Sequence, residues 1–383
     1  VKNTFTKALS VFPLGDAYDK DGNINHEYAP NEYSPLGDFI PNQYVNNTKG
    51  TYINVNGNLE LTPLKGLSFK SVISATLNNS RAGTFLGAQC NANLPTYASS
   101  PHASILNSYT RGYTWENILS YNMTIAEDHS VGGTFVTSWS HNQEESNMAA
   151  GSGQDLDSWS FWRLTSATSP HVESDFSQTQ KLSYAVRFNY SYKGKYLFTF
   201  SNRWDGVSWL ANKWDSFPAA ALRISDEAFM ESSNDWLSNL KLRIGYGVTG
   251  NSGGIGAYGT LTNAIIYSSS GISIGGNNVP FAQYTGTYSN PDLGWEKSHN
   301  WNIGVDFGLL SNRIDGSIEW FTTKTKGLLF KRTLPVTTGN TGWGRPLDIW
   351  ENLAETSNMG VEATINSHNI KTKDFSWDTT LSF

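Results

Sequence analysis

The sequence has very few of the residues that build disulfides, metal sites or membrane helices. A single cysteine, Cys90, among 383 residues excludes an internal disulfide framework. The longest apolar patch is far below the roughly 18 residues of a membrane-spanning helix. Seven scattered histidines, without an HExxH or CxxC motif, lead us to expect no metal site and no cofactor. A net charge of -6 argues against nucleic acid as a partner.

The sequence is rich in aromatic residues and glycine, which is typical of β-structure with turns. Aromatic residues make up 13% of the chain, and 35 glycines are present. About twelve stretches alternate between polar and apolar side chains, and residues 178–205 show the pattern most clearly. There the alternation stops at Lys193-Gly194 and then resumes, which predicts two strands joined by a tight turn. The apolar set of the first strand is Leu182, Tyr184, Val186, Phe188, Tyr190 and Tyr192.

The connections between these stretches are alternately short and long. Residues 62–66 and 126–129 are short, whereas 80–110 and 143–177 are long. A soluble sandwich has no reason to enforce such one-sided loops. An outer-membrane barrel has short periplasmic turns and long extracellular loops. The sequence therefore predicts an all-β fold, a transmembrane antiparallel β-barrel, with strands of about 10–14 residues.

The alternation predicts which face of the barrel meets lipid and which face lines the lumen. Apolar side chains point to the lipid and polar ones to the lumen. Aromatic residues near the strand ends suit interfacial girdles; they are Tyr190, Tyr192, Tyr196, Trp204, Trp209, Trp295, Trp301 and Trp320. The charged residues predicted to line the lumen are Lys181, Arg187, Arg203, Lys241, Arg243, Asp306, Asp315 and Glu319.

Three short motifs suggest other chemistry, but each lacks its required context. Residues 245–250 spell GxGxxG, yet NSGGIGAYGT follows where a nucleotide-binding fold needs a helix. Residues 250–254 spell GxSxG without a following helix. Residues 19–23 resemble a calcium loop but fail the EF-hand spacing, which favours a β-turn. No catalytic constellation emerges, so we do not expect an enzyme.

Several longer segments carry a specific resemblance. KYLFTFSNRWDGVSW at 195–209, LSNLKLRIGYGVTGN at 237–251 and NPDLGWEKSHNWNIGVDFGLLSNRIDGSIEWF at 290–321 resemble the SusC/RagA family, as does ETSNMGVEATI at 355–365. The resemblance implies a TonB-dependent transporter of the Bacteroidota outer membrane. It implies a 22-stranded barrel with an N-terminal plug, through which TonB acts, and a SusD-like surface lipoprotein. It also implies import of glycans, oligosaccharides or peptides, with a possible dimer of such pairs.

No plug-like segment precedes Val1 in this sequence, whereas the resemblance implies one. We therefore expect residues 1–383 to be a barrel segment of about 12 strands, a portion of a longer transporter rather than a small complete barrel. Outer-membrane lipid is then its surrounding medium.

The long loops offer the candidates for substrate contact. Four tryptophans, Trp159, Trp162, Trp343 and Trp350, could stack on sugar rings through their apolar faces. Alternatively, they pack the loops together or dock the partner lipoprotein. Two other functions stay open at this point: a surface adhesin or glycan-binding module without transport, and a passive porin.

Overall fold

The structure, a computed structural model, consists mainly of one long antiparallel meander. It describes residues 9, 16–25, 27–29, 32–91, 93, 100–225, 236–261, 264–267, 273–274, 277–278, 281–284, 287–338, 341–342, 345–346 and 348–383. Twelve long strands pair in chain order, each with its sequence neighbours. They are β1 (Tyr44–Leu64), β2 (Leu67–Leu86), β3 (His102–Ile125), β4 (His129–Ser152), β5 (Ser169–Tyr192), β6 (Tyr196–Val207), β7 (Trp214–Ser225), β8 (Leu237–Asn251), β9 (Glu296–Leu309), β10 (Ile314–Thr333), β11 (Asp348–Lys371) and β12 (Ser376–Ser382).

The predicted all-β antiparallel fold is confirmed, but the predicted strand length is wrong for many strands. β4 has 24 residues and β10 has 20, instead of about 10–14. The ladder hydrogen bonds of a sheet join backbone groups and need no apolar side chain. Pairing therefore continues through polar stretches such as Asn142 to Glu145, where the alternation of side chains disappears. No helix among the described residues is long and apolar enough to cross a membrane.

The alternation of connection lengths is also confirmed, except on either side of β7, where 226–236 at the short-turn end has eleven residues and 208–213 at the opposite end has six. Residues 65–66, 126–128, 193–195, 310–313 and 372–375 make short turns at one end of the sheet. Gly66 and Gly194 have positive φ angles there, and so do Ala126, Glu127 and Lys193. Such angles match the right-handed twist of the paired strands. The connections at the other end are 87–101, 153–168, 208–213, 252–295 and 334–347, so only 208–213 is short at that end.

The described chain divides into two compact units, each with its own small apolar core. The first unit comprises Val1–Val55, Ser74–Tyr113 and Asn142–Gln178, and its core is formed by Phe85, Ala103 and Phe161. The second unit comprises Asn56–Ile73, Thr114–His141 and Thr179–Phe383. Its core is formed by Val207, Leu210, Phe217, Val248, Ile255, Leu293 and Trp295.

Within the second unit, β7 and β8 pair over only part of their length. Their ladder runs from Ser225 opposite Lys241 to Ala219 opposite Gly247. The next residue of β7 is Pro218, which has no N–H to donate to a ladder. Beyond it β7 continues to pair with β6 alone. The core of the second unit contains residues from both strands beyond this point, Phe217 and Val248.

Candidate functional site

The strand registers of the second unit separate its side chains into two faces of opposite character. One face carries large apolar side chains that are each at least 38% exposed. In a water-soluble protein so large an exposed apolar surface would promote aggregation, but it suits contact with lipid. Its members are Tyr184, Phe188, Phe198, Phe200, Trp204, Leu222, Trp301, Ile303, Ile318, Trp320, Met359, Val361, Ile365 and Leu381.

The opposite, polar face carries all eight of the charged residues predicted from the sequence. The registers connect them stepwise across the strands: Arg187 lies opposite Ser201, Lys241 opposite Asp306, and Gly304 opposite Glu319. Because side chains alternate along each strand, every residue in this series points to the same side of the sheet. The complete set is Lys181, Arg187, Arg203, Lys241, Arg243, Asp306, Asp315 and Glu319.

Arg243 is the centre of an ion-pair network that crosses β8, β9 and β10. Its guanidinium Nη2 lies 2.7 Å from Asp306 Oδ1 and 2.6 Å from Glu319 Oε1. Lys241 Nζ lies 3.5 Å from the second oxygen of Asp306, and Asn302 donates to Glu319 Oε2 at 3.2 Å. Each carboxylate therefore has two partners, which fixes the orientation of both acidic side chains on the polar face.

A second network joins β5 to β6. The carboxylate of Asp205 is almost fully buried, 2.7 Å from Arg203 Nε and 3.4 Å from Lys181 Nζ. Arg203 also donates to Ser183 Oγ at 3.1 Å. Arg187 lies apart from this network and donates to Asn189 Oδ1 at 3.2 Å. The buried acidic partner Asp205 was not among the predicted lumen residues.

Asp315 belongs to a third group, at the short-turn end of the sheet. It accepts from Asn366 Nδ2 at 2.9 Å, and His368 Nε2 lies 3.7 Å from its other oxygen. His368 Nδ1 in turn lies 2.6 Å from Asp378 Oδ1. His368 and Asp378 were also missed. The signal that could have found all three missed residues is the alternation itself, because each occupies a polar position of its strand.

Between the first two networks lies a shallow groove of about 250 Å³. Its floor is made of small residues on the polar face, Ala219, Ala221, Gly245 and Gly247. Hydroxyl and amide side chains flank it on both sides: Thr199, Ser201, Asn300 and Asn302. Small residues here leave the polar face recessed over the width of β7 and β8.

The tryptophans predicted for substrate contact have different surroundings. Trp159 is half-buried and has the Arg163 guanidinium 4.6 Å from its ring centroid. Trp162 is 63% exposed, and Arg81 lies 4.6 Å from its ring. Trp350 is the third residue of β11 and packs against the core of the second unit. Trp343 lies outside the described residues. Contact of these residues with a substrate stays a prediction.

Two of the aromatic residues predicted for the girdles are instead part of the loop end of the second unit. Trp295 is 8% exposed in its core, and its indole N–H donates to the Lys213 carbonyl at 3.0 Å. Trp209 packs against the same core and donates to the Ser252 carbonyl at 2.8 Å. The girdle prediction is wrong for both, because residues distant in sequence cover them. Trp301 and Trp320 are exposed on the apolar face as expected.

The short motifs have the structural roles expected of them. Gly245, Gly247 and Gly250 all lie within β8, and no helix follows among the described residues up to 261. Asp19 closes a turn: its carboxylate accepts the amide N–H groups of Asp21 and Asn23. The hydrogen bond from the Asn23 backbone is the main reason that the pKa of Asp19 is lowered.

Comparisons with known proteins agree with this geometry. The solved structure of the RagAB peptide transporter superposes with a TM-score of 0.76 at 21% identity, covering 95% of this chain and 39% of that chain. The sequence profile described as TonB dependent receptor-like, beta-barrel matches residues 2–383. The chain belongs to this family. It is thus a section of a TonB-dependent receptor β-barrel, and its place is the outer membrane.

Two curated TonB-dependent receptors show how much of such a protein this chain represents. SusC of Bacteroides thetaiotaomicron is 34% identical over 314 residues, which are 74% of this chain and 29% of that protein. Receptor P26 of Formosa agariphila is 29% identical over 386 residues, which are 98% of this chain and 38% of that protein. The resemblance to the SusC/RagA group is therefore confirmed, and the chain spans less than two fifths of these curated relatives.

Proposed function

We propose that this chain forms part of the barrel wall of an outer-membrane importer for oligosaccharides or peptides. The observation that carries the proposal is the two-faced sheet: exposed apolar side chains on one side and three polar networks on the other. In a membrane barrel the polar side faces a water-filled lumen, where charged residues influence which solutes pass. A solute crossing there meets Arg243 with its two carboxylates and the recessed groove beside it.

The similarity to SusC and to the RagAB peptide transporter supports two partners for the whole protein. One is a SusD-like surface lipoprotein that captures cargo over the long loops. The other is the TonB complex, which supplies energy through a plug domain. Import of this kind requires an energised membrane, whereas diffusion through a passive porin or display of a surface adhesin does not.

Uptake that depends on energy is the test of this proposal. Cells producing the whole protein are given labelled oligosaccharides and labelled peptides, and accumulation is measured with and without a protonophore. We expect accumulation of at least one cargo class to stop when the proton gradient is dissipated or when TonB is deleted. Accumulation that persists under both conditions would indicate a passive porin. No protein-dependent accumulation of either class would favour an adhesin.

The charge of the polar face predicts a change in selectivity for Arg243→Gln. The substitution removes the positive charge shared by Asp306 and Glu319, so the local potential becomes more negative. We expect uptake of anionic cargo to fall roughly threefold or more relative to neutral cargo. Assembly should be normal, because Asp306 retains Lys241 and Glu319 retains Asn302.

The matched control is Arg313→Gln. Arg313 lies at the short-turn end and donates to the backbone carbonyls of His368 and Asn369. Its loss should leave the ratio of anionic to neutral uptake unchanged. If Arg243→Gln and Arg313→Gln gave the same ratio, Arg243 would not face the path of the cargo.

A further inference from the structure

Trp162 is an exposed residue in a loop that the buried side chain of Phe161 anchors to the core of the first unit. Its neighbour Phe161 is 2% exposed and packs in the core of the first unit with Phe85 and Ala103. A Cβ at Gly83 would collide with the Phe161 ring, so the strand and the loop are in close contact there. Trp162 itself is 63% exposed. An indole that is both fixed and exposed is pre-organised for contact with another molecule.

Arg81 gives this surface an unneutralised positive charge. Its guanidinium lies over the Trp162 ring, and one terminal nitrogen donates to Asn47 Oδ1 at 3.4 Å. Its Nε is buried and has no hydrogen-bond partner. Neither Arg81 nor the nearby Arg163 forms an ion pair within the described part of the chain. Asp157 of this loop already accepts a hydrogen bond from Gln43.

The surface lies on the lipid-facing side of its strands. Phe161 covers Gly83 and Phe85 of β2 and Ala103 of β3, and Arg81 precedes these in the same alternating set of β2. On β3 the set that begins with Ala103 continues through positions 105–111 to Tyr113, an exposed aromatic residue. Arg81 and Trp162 are therefore on the outward face, nearer the long-loop end than the exposed side chains of Ile73 on β2 and Tyr113 on β3. In an outer-membrane barrel the outer-leaflet headgroups lie at the long-loop end of the exposed apolar band.

We propose that Trp162 and Arg81 bind the phosphorylated sugar headgroup of an outer-leaflet glycolipid. The C–H face of a sugar ring packs on an indole, and a guanidinium binds phosphate through charge-assisted hydrogen bonds. Both groups occur together in such a headgroup, and the outer leaflet brings it to this height on the outward face. The site is distinct from the polar face assigned to cargo, so it stands whether or not the transport proposal is correct.

The test measures lipid retention by the whole protein purified from its membrane. The protein is delipidated in detergent and titrated with bisphosphorylated lipid A, and bound lipid is counted by native mass spectrometry. We expect Arg81→Gln, which loses a charge-assisted contact, and Trp162→Ala, which loses an aromatic contact, each to weaken binding about tenfold. Arg332→Gln is the control: Arg332 lies at the same end but is held by both oxygens of Glu351.

Several outcomes would overturn the proposal. The first is that Arg81→Gln, Trp162→Ala and Arg332→Gln all bind lipid A equally well. The second is that the unaltered protein binds dephosphorylated lipid A or phosphatidylglycerol as tightly as bisphosphorylated lipid A. The third is that millimolar inorganic phosphate displaces the bound lipid. A change from dimer to monomer in Trp162→Ala, with lipid binding intact, would identify a protein interface instead. Folding is monitored by heat-modifiable gel mobility. If Arg81→Gln fails to fold, Arg81→Lys replaces it, because lysine keeps the charge but loses the forked guanidinium. An unchanged affinity of Arg81→Lys for lipid A would equally overturn the role of Arg81.

Discussion

Replacing Phe188 by arginine is expected to abolish assembly of the barrel in the outer membrane. Phe188 lies on the apolar face of β5, opposite Phe200 of β6, and its side chain is 43% exposed. An arginine facing lipid near the midplane costs about 2–4 kcal/mol. That is a large fraction of the free energy that holds a domain folded. The measurement is the yield of heat-modifiable, folded protein in isolated outer membranes.

Arg187→Ala is the matched control for this substitution. Arg187 is the adjacent residue of β5 and therefore points to the polar face, where its side chain donates to Asn189 Oδ1. In a water-filled lumen its loss costs little, so we expect a yield close to that of the unaltered protein. Equal folded yields from Phe188→Arg and Arg187→Ala would mean that the face of Phe188 does not contact lipid and that the face of Arg187 does not line the lumen.

The assignment of faces could be made from sequence because it depends on a period of two within single strands. Tyr184 and Phe188 alternate with Ser183 and Arg187 in the printed sequence, and the register only confirms which neighbours they meet. The same rule predicted eight charged residues of the polar face. The predicted lumen set omitted Asp205, His368 and Asp378 although they obey the alternation, because alternation within one strand does not show which charges pair across strands.

The strand ends and the core of the second unit around Trp295 could not be predicted in this way. Near the long-loop end, both faces of a strand such as β4 are polar, so no alternation marks where the strand stops. The burial of Trp295 depends on residues of β6, β7 and β8 and of the connection 208–213, and the local sequence contains no sign of them. An aromatic residue near a strand end has the same sequence signature whether lipid or a loop covers it.

Segments that carry the resemblance to the SusC/RagA group meet in the core of the second unit. Val207, Val248 and Trp295 of this core come from 195–209, 237–251 and 290–321, and Phe217 and Asp215 lie on β7 between the first two segments. The rings of Phe217 and Trp295 are edge-to-face at 5.2 Å, and Lys297 Nζ lies 2.6 Å from Asp215 Oδ1. These contacts lie beyond Pro218, where the ladder between β7 and β8 has ended. Side-chain packing and one ion pair thus take over from backbone hydrogen bonds.

Trp295→Ala should therefore disrupt the loop end without preventing membrane insertion. Removing a buried aromatic side chain costs about 3–5 kcal/mol, and the Lys213 carbonyl keeps the Val207 N–H but loses the second of its two donors. The paired length of β7 and β8 below Pro218 is unaffected, so the folded protein should still reach the membrane. We expect rapid cleavage within 208–213 or 252–261 when intact cells are treated with protease.

Two variants separate packing from the other contributions of this indole. Trp295→Phe retains most of the apolar contact with Phe217 but cannot donate to Lys213, so its cleavage rate should lie between those of Trp295→Ala and the unaltered protein. Trp301→Ala removes an equally large side chain from β9, the strand that directly follows Trp295, but from the exposed apolar face. Its loops should be as resistant as those of the unaltered protein. If Trp295→Ala were as resistant to protease as Trp301→Ala, the core around Phe217 would not be what holds β7 and β8 together beyond Pro218, where their ladder has ended.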